Sequence, residues 1–297
     1  YYLKGQLVFA GLGLAAMYAA MNVDYWIWRK YAGVGLTVCF ALLLIVLIPG
    51  VGAVRGGARS WLGIGSLGIQ PSEFMKLAMV VFLAKWLSEH QAKLTKFATG
   101  LLPPLAVVGL AFGLIMMQPD LGSGAVLVGA SLILVYTAGA KISHLAGLAV
   151  AGLAGFAGLI LAAPYRMQRI AGFLDPWSDP LGSGYQIIQS LFAIGPGGLV
   201  GLGLGASRQK HSYLPEPQTD FIFSIVAEEL GFIGASFLLI LFLILIWRGI
   251  RTAITAPDAF GSLLAVGIVG IIGVQVFVNV GVVIGMFPVT GITLPLI

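Results

Sequence analysis

Runs of about twenty consecutive apolar residues, most without a charge, recur from one end of this 297-residue chain to the other. A helix needs about 20 such residues to cross a bilayer core of about 30 Å. In water the same runs would have no place. The chain is 59% hydrophobic and 9% charged, against roughly 25% charged in a soluble domain, so it lacks the polar surface to cover so large an apolar mass. A soluble enzyme, a disordered chain and a disulfide-built secreted scaffold are excluded, the last also because Cys39 is the single cysteine. Eight spans are predicted, at 5–22, 32–53, 75–88, 100–118, 121–140, 144–163, 221–247 and 260–287. The third is short, with Lys76 and Lys85 near its ends, where lysines snorkel. No period-2 alternation marks barrel strands, so the fold class is all-α: a polytopic membrane helix bundle forming a single domain over 1–297. The first apolar run leads into Asp24-Tyr25-Trp26, which is not a signal-peptide cleavage site.

Eight spans sort the loops into two sides. Side one carries Arg29, Lys30, Lys85, Lys93, Lys96, Lys141, Arg248 and Arg251. Side two carries Lys4, Arg55, Arg59 and Lys76 in its short segments, and Arg166, Arg169, Arg208 and Lys210 in one long loop, 164–220. The positive-inside rule weighs short loops most, which makes side one cytoplasmic and the long loop extracytoplasmic. The net charge of +5 comes from scattered residues and predicts contact with anionic lipid or a phosphorylated substrate, not nucleic acid. Within the long loop, Ile187, Ile188, Leu191 and Phe192 repeat at helical spacing, an interfacial amphipathic helix. The glycines from Gly195 to Gly205 suit a tight re-entrant path.

Acidic chemistry gathers on side two. Asp220 stands where a Pro-stiffened loop, Leu214-Pro215-Glu216-Pro217, runs into an apolar helix. Two readings of it stay open: a carboxylate partly stripped of water and suited to act as a base, or a first-turn acid favoured by the helix dipole. Glu228 and Glu229 lie about 80° and about 180° around the same helix from Asp220, so one of them is read as an internal bonding partner. Pro71 and Ser72 start a helix on which Glu73 and Lys76 share a face at i,i+3. They pair with each other, or Lys76 meets an anionic substrate or Asp220. Arginine forks suit phosphate oxygens, and the basic residues of side two together form a pyrophosphate-binding surface. Asp120, in Gln118-Pro119-Asp120-Leu121-Gly122, is either a helix cap or part of the site. Gln275 and Asn279 share a face of the last span and bond to a neighbouring helix. No zinc, Walker, Ser-His-Asp or haem pattern is present.

In this order and spacing, Arg59-Ser60-Trp61, Gln70-Pro71-Ser72-Glu73 with Lys76, Gln118-Pro119-Asp120-Leu121-Gly122, Asp175-Pro176-Trp177, Gly184-Tyr185-Gln186, Thr219-Asp220-Phe221, Glu228-Glu229-Leu230-Gly231 and Pro288-Val289-Thr290-Gly291 resemble the SEDS family of bacterial membrane proteins (shape, elongation, division and sporulation). Asp175-Pro176-Trp177 and Gly201-Leu202-Gly203-Leu204-Gly205 are more similar to its division and sporulation branch than to its elongation branch. Family members have ten spans, so the chain is expected to be incomplete, without the first and the last.

The resemblance implies polymerisation of peptidoglycan glycan strands from lipid II outside the bacterial cytoplasmic membrane, by inverting transfer from a polyprenyl pyrophosphate to a sugar hydroxyl. It carries the catalytic acid onto Asp220 and a supporting pair onto Glu73 and Lys76. Arg59, Trp61, Gln118, Asp120, Arg208 and Lys210 are the candidate substrate-binding residues. It also implies a class B penicillin-binding protein as partner. No cofactor is required by the pattern, and a divalent cation, Mg or Mn, held by carboxylates and pyrophosphate is compatible with it. Two alternatives use the same residues: a lipid II flippase, and a non-catalytic scaffold for the penicillin-binding protein.

Overall fold

Apolar side chains that cannot meet water leave the backbone no choice in a bilayer but to bond to itself, and the apolar runs accordingly fold as helices. The structure, a computed structural model, describes residues 2–55, 58–64, 67–161, 164–210 and 213–296. In chain order it contains α1 (Tyr2–Met21), α2 (Trp26–Leu47), β1 (Ala53–Arg55), β2 (Ala58–Ile64), β3 (Leu67–Ile69), α3 (Pro71–Glu89), α4 (Leu102–Met116), α5 (Leu121–Thr137), α6 (Ile142–Leu161), α7 (Pro164–Leu174), α8 (Tyr185–Gly197), α9 (Ile222–Thr255) and α10 (Ala259–Val283). A π-helical turn, Phe97–Leu101, leads into α4. Each predicted span falls on a helix. α9 runs on to Thr255, past the expected 247, and α2 is shifted toward the N-terminus: it begins at Trp26 instead of 32 and stops before Pro49 and Gly50, the latter at φ 89°. Proline lacks the amide to continue a helix and the glycine turns the chain away. Among the described residues four helical segments are long and apolar enough to cross a membrane: Trp26–Leu47, Phe97–Met116, Ile222–Thr255 and Ala259–Val283. The chain is a multi-pass membrane protein.

The segment before α3, expected as plain loop, is a three-stranded antiparallel meander in the order β1-β2-β3, pairing Val54 with Arg59 and Leu62 with Ile69. Strands of three to seven residues are too short for an alternating pattern to stand out from sequence.

α3 is the central post, packing against α2, α5 and α10. Met75, Met79, Leu83 and Leu87 along it are buried with Leu43 of α2, Leu134 of α5 and Phe260 of α10. A second core forms where α8, the start of α9 and the end of α10 meet, around Phe221, Phe223, Val283 and Leu294. The helix predicted around Tyr185–Phe192 is α8, and its apolar face is divided: Ile187, Ile188 and Ala193 are buried against protein, while Leu191 and Phe192 are exposed. Ser190 bonds Ser224 Oγ at 2.8 Å and donates to the Val283 carbonyl at 2.7 Å, tying α8 to α9 and α10. α1 is exposed from Gly5 onward, an apolar surface suited to lipid.

α9 is two helices joined at a break. Gly231 there sits at φ 66°, ψ −166°, a conformation essentially confined to glycine. The backbone groups freed by the break are bonded by the glycine-rich segment after α8. Leu202 N and Gly203 N donate to the Glu228 and Glu229 carbonyls, both at 3.0 Å, while Phe232 N and Ile233 N donate to the Gly198 and Leu199 carbonyls at 2.9 and 3.1 Å. The part after the break, Phe232–Thr255, is about 36 Å of helix, enough to span the hydrocarbon by itself.

Candidate functional site

Pro71 at the first turn of α3 points the opening residues of that helix at the side-two end of the bundle. The first turn carries Glu73, and Lys76 follows one turn on. Their ion pair measures 2.8 Å, with Lys76 3% exposed and Glu73 47% exposed. The ammonium also donates to Gln275 Oε1 of α10 at 3.4 Å. Gln275 in turn donates to the Thr293 carbonyl at 3.1 Å. One helical turn further along α10, Asn279 Nδ2 donates to two carbonyls, Asp220 at 2.8 Å and Ile292 at 2.7 Å.

These bonds hold the irregular segment after α10 across the end of the bundle. Its backbone crosses the start of α5 so closely that a Cβ on Gly122 would come 2.7 Å from the Thr290 carbonyl oxygen. Gly291 adopts φ 70°, and a Cβ there would lie 3.7 Å from Asp220 Oδ2. A polar pocket of about 30 Å³ opens beside it, lined by Gln70, Glu73, Lys76, Ser123, Val126, Gln275, Gly291, Ile292 and Thr293. Asp220, from the far end of the long loop, thus reaches the neighbourhood of the Glu73–Lys76 pair across Gly291. Asp220 is not the cap of α9, a position taken by the next residue, Phe221, and its carboxylate lies against Gly291, which lines the pocket.

Behind the pocket lies a buried polar brace. Asp120 caps α5, accepting from Ser123 N at 2.9 Å, and also accepts from Gln70 Nε2 at 2.8 Å and Ser72 Oγ at 3.4 Å. The same hydroxyl reaches Ser123 Oγ at 3.3 Å. The cap reading of Asp120 is realised, with the addition that the cap joins α3 to α5. Gln118 is fully buried and donates to the Leu43 carbonyl at 3.3 Å.

The remaining candidates lie elsewhere. Arg59 and Trp61 sit on β2, half-buried. Lys210 is paired with Glu229 at 2.6 Å, and Glu229 also accepts from Gly205 N and Ser207 N. Glu228, 1% exposed, accepts from Ser207 Oγ at 2.6 Å and Arg208 N at 2.9 Å. Both glutamates are bonding partners of the same loop, where the helical wheel suggested one. The side chains of Arg55, Arg166 and Arg169 lie outside the described residues. Among the described residues no group of three or more His, Cys, Asp or Glu stands together as a metal site. Of Gln275 and Asn279, read from sequence as bonding to a neighbouring helix, Gln275 does so by accepting from Lys76 of α3; Asn279 and the Gln275 amide nitrogen donate instead to carbonyls of irregular backbone. Their i,i+4 spacing was the available signal.

A family model described as "Cell cycle protein", covering FtsW, RodA and SpoVE, matches residues 1–297. Stage V sporulation protein E of Bacillus subtilis is 60% identical over 295 residues, covering 99% of this chain and 81% of that protein. The probable peptidoglycan glycosyltransferase FtsW of Geobacter metallireducens is 43% identical over 297 residues, 100% of this chain and 79% of that one. Among solved structures, a chain of a peptidoglycan synthase complex that coordinates polymerization and crosslinking superposes with a TM-score of 0.81 at 35% identity, covering 99% of this chain and 82% of the other. The rod shape determining protein RodA of Thermus thermophilus does so at 0.70 and 30% identity, covering 99% and 79%.

Proposed function

The chain belongs to the FtsW/RodA/SpoVE family, and from that premise we propose that it polymerises glycan strands from lipid II at the pocket beside Glu73, Lys76 and Asp220. It is a peptidoglycan glycosyltransferase, as relatives at about 40% identity over the full chain are named. The observation that carries the choice of site is the convergence of three distant segments on Gly291: the Glu73–Lys76 pair, the Asp220 carboxylate and the stretch after α10.

The chemistry follows from the charges. A hydroxyl of the acceptor sugar attacks the anomeric carbon of the donor, the bond from that carbon to the pyrophosphate oxygen breaks, and the centre inverts. Asp220 accepts the hydroxyl proton. Lys76 stabilises the negative charge growing on the pyrophosphate, and Glu73 holds the ammonium in place. At about 30 Å³ the pocket admits little more than a water molecule. It therefore recognises an edge of the substrate, a hydroxyl or a phosphate oxygen, while the disaccharide and prenyl chain lie over it along the bundle. A Mg or Mn ion would find carboxylate oxygens in Glu73 and Asp220 and the rest of its shell in pyrophosphate and water. The partner is a class B penicillin-binding protein that cross-links the strands, and the protein works in the cytoplasmic membrane with side two outside.

The test is polymerisation of labelled lipid II by the purified protein with its partner, the partner's own chemistry blocked, beside Asp220→Asn. Long strands from wild type and none from an equally stable, partner-binding Asp220→Asn are the expected result. Equal products from both would remove Asp220 from the reaction. No strands from either, with transbilayer movement of lipid II in liposomes, would replace the polymerase by a flippase.

A further inference from the structure

Asn279 is 1% exposed, and both N–H bonds of its side chain go to main-chain carbonyls outside α10, those of Asp220 and Ile292. Gln275, one turn earlier and 6% exposed, joins the Lys76 ammonium to the Thr293 carbonyl. One face of α10 thus holds both halves of the proposed site: the carboxylate-bearing residue through its own backbone, and the ammonium directly. The two halves come from elements far apart in sequence, α3 and the end of the long loop, and the 290–293 segment lies between them. We propose that Asn279 and Gln275 are positioning residues for glycosyl transfer, setting the separation and orientation of Asp220 and Lys76 without touching the reacting atoms. The proposal rests on the polymerase reading above.

The chemistry of the carboxamide explains why these residue types stand here. A carboxamide is neutral, so it crosses the bundle without the desolvation cost of a charge. Its two coplanar N–H bonds diverge, so a single group bridges two carbonyls. Aspartate at 279 has the same shape but no donor when ionised, and leucine has similar bulk but no donor at all. At Gln275 the oxygen accepts from Lys76 while the nitrogen donates to Thr293, which only an amide can do from one rigid plane. Displacing a reacting group by about 1 Å costs on the order of 10²-fold in rate.

The experiment compares Asn279→Leu, Asn279→Asp, Gln275→Leu and Val276→Ala in the purified complex. It measures kcat and KM for lipid II polymerisation and the thermal melting of each protein. Val276 is a buried apolar neighbour on the same turn that donates to nothing, so its truncation reports loosening alone. Folded Asn279→Leu and Asn279→Asp are expected to lose about 10²-fold in kcat with KM within about twofold, and Val276→Ala to keep its kcat at a matched drop in melting temperature. Full kcat in either folded Asn279 variant, a loss confined to KM, or an equal loss in Val276→Ala would overturn the proposal. If neither Asn279 variant folds, Gln275→Leu decides: a kcat loss of the same kind supports it, and unchanged kcat overturns it. A wild type that makes no strands would instead bring down the polymerase reading, and the positioning role with it.

Discussion

Replacing Gly231 by alanine tests whether the break in α9 is a built feature of the fold. At φ 66° and ψ −166° a residue with a Cβ is strained by about 1–3 kcal/mol. Space is also lacking: the new Cβ would come 2.3 Å from Gly201 N and 2.6 Å from the Leu199 carbonyl oxygen. Both are backbone atoms of the segment that bonds across the break, so the clash is relieved only by separating the two strands of chain. That would give up bonds among the four at 2.9–3.1 Å that link 198–203 to 228–233, each worth about 1 kcal/mol net. The expected loss is about 4 kcal/mol, read as thermal melting of the purified protein in detergent. Two further glycines separate the causes. Gly203 has φ 104° but open space around it, so Gly203→Ala carries the backbone strain alone, about 1–2 kcal/mol. Gly273 is helical, and its Cβ would meet only Ile246 Cδ1, at 3.7 Å, so Gly273→Ala should be neutral or stabilise by up to about 1 kcal/mol. The expected order of melting temperatures is Gly273→Ala, then Gly203→Ala, then Gly231→Ala. A Gly231→Ala protein that melts with wild type would refute both the strain and the steric account.

The Glu73–Lys76 pair should respond asymmetrically. Glu73→Gln removes the counter-charge of an ammonium that is 3% exposed and leaves it with neutral acceptors only, at a cost of up to about 3 kcal/mol, while Lys76→Met leaves a half-exposed carboxylate that water can serve. Melting should fall more for Glu73→Gln, and the reverse order would count against the burial argument. At the other end of the bundle, Tyr25 donates to Asp258, which holds the Asp258 carboxyl below the usual carboxylate range, helped by the Gly261 amide, and pushes the Tyr25 hydroxyl up. The stability from Asp258 is complete above its ordinary value of about 3.9 and is lost as pH falls through its lowered one; that from Tyr25 is complete below about 10 and is lost as pH rises through its raised one. Melting should therefore be flat between about pH 5 and 9, and Tyr25→Phe should be lower on that plateau and flatter at both limbs. Coincident profiles would sink the linkage.

What could be read in advance was whatever a short stretch of chain decides by itself. Pro71 and Ser72 announce α3, and the i,i+3 spacing of Glu73 and Lys76 announces their pairing. Apolar length alone announces the long helices, because a bilayer asks for nothing subtler. The break at Gly231 was hidden for the same reason. In a continuous apolar run a glycine is unremarked, and its conformation acquires a cause only from Gly201 and Leu199, thirty or so residues away. Glu228 and Glu229 looked incompatible with one role because they face different ways on a regular helix. They serve one loop because that loop crosses α9 at its break, Leu202 and Gly203 bonding there and Ser207 to Lys210 following. The site was half legible. Asp220 was visible as an acid at a helix mouth, but its neighbour Gly291 lies seventy-one positions later, in a segment with no regular structure. Gln275 and Asn279 were visible as a pair on one face, while their acceptors, carbonyls of irregular backbone, carry no side-chain signature.

Three ion pairs can be compared on where they sit and what they join, and only one of them makes poor sense as architecture. Arg29–Glu89 links α2 to the end of α3 with both side chains about a third exposed, 30% and 36%, so neither ion gives up much water. Lys210–Glu229 pins the 205–210 loop onto α9, and the carboxylate gains two backbone amides besides the ammonium. Lys76–Glu73 joins two residues one turn apart on a single helix, a contact worth about 0.2–0.5 kcal/mol in isolation. To make it the ammonium is buried to 3% exposure, where desolvation costs several kcal/mol. A methionine of similar volume would pack there at less cost. The carboxylate end, meanwhile, is left half open on a polar pocket. A buried cation that stabilises little and faces outward through its own counter-ion is the arrangement expected if the charge is kept for a ligand. An anionic group arriving at the pocket would complete the coordination that Glu73 and Gln275 leave partial. Pyrophosphate, with charge growing on the oxygen released from the anomeric carbon as the new glycosidic bond forms, is a ligand of that kind.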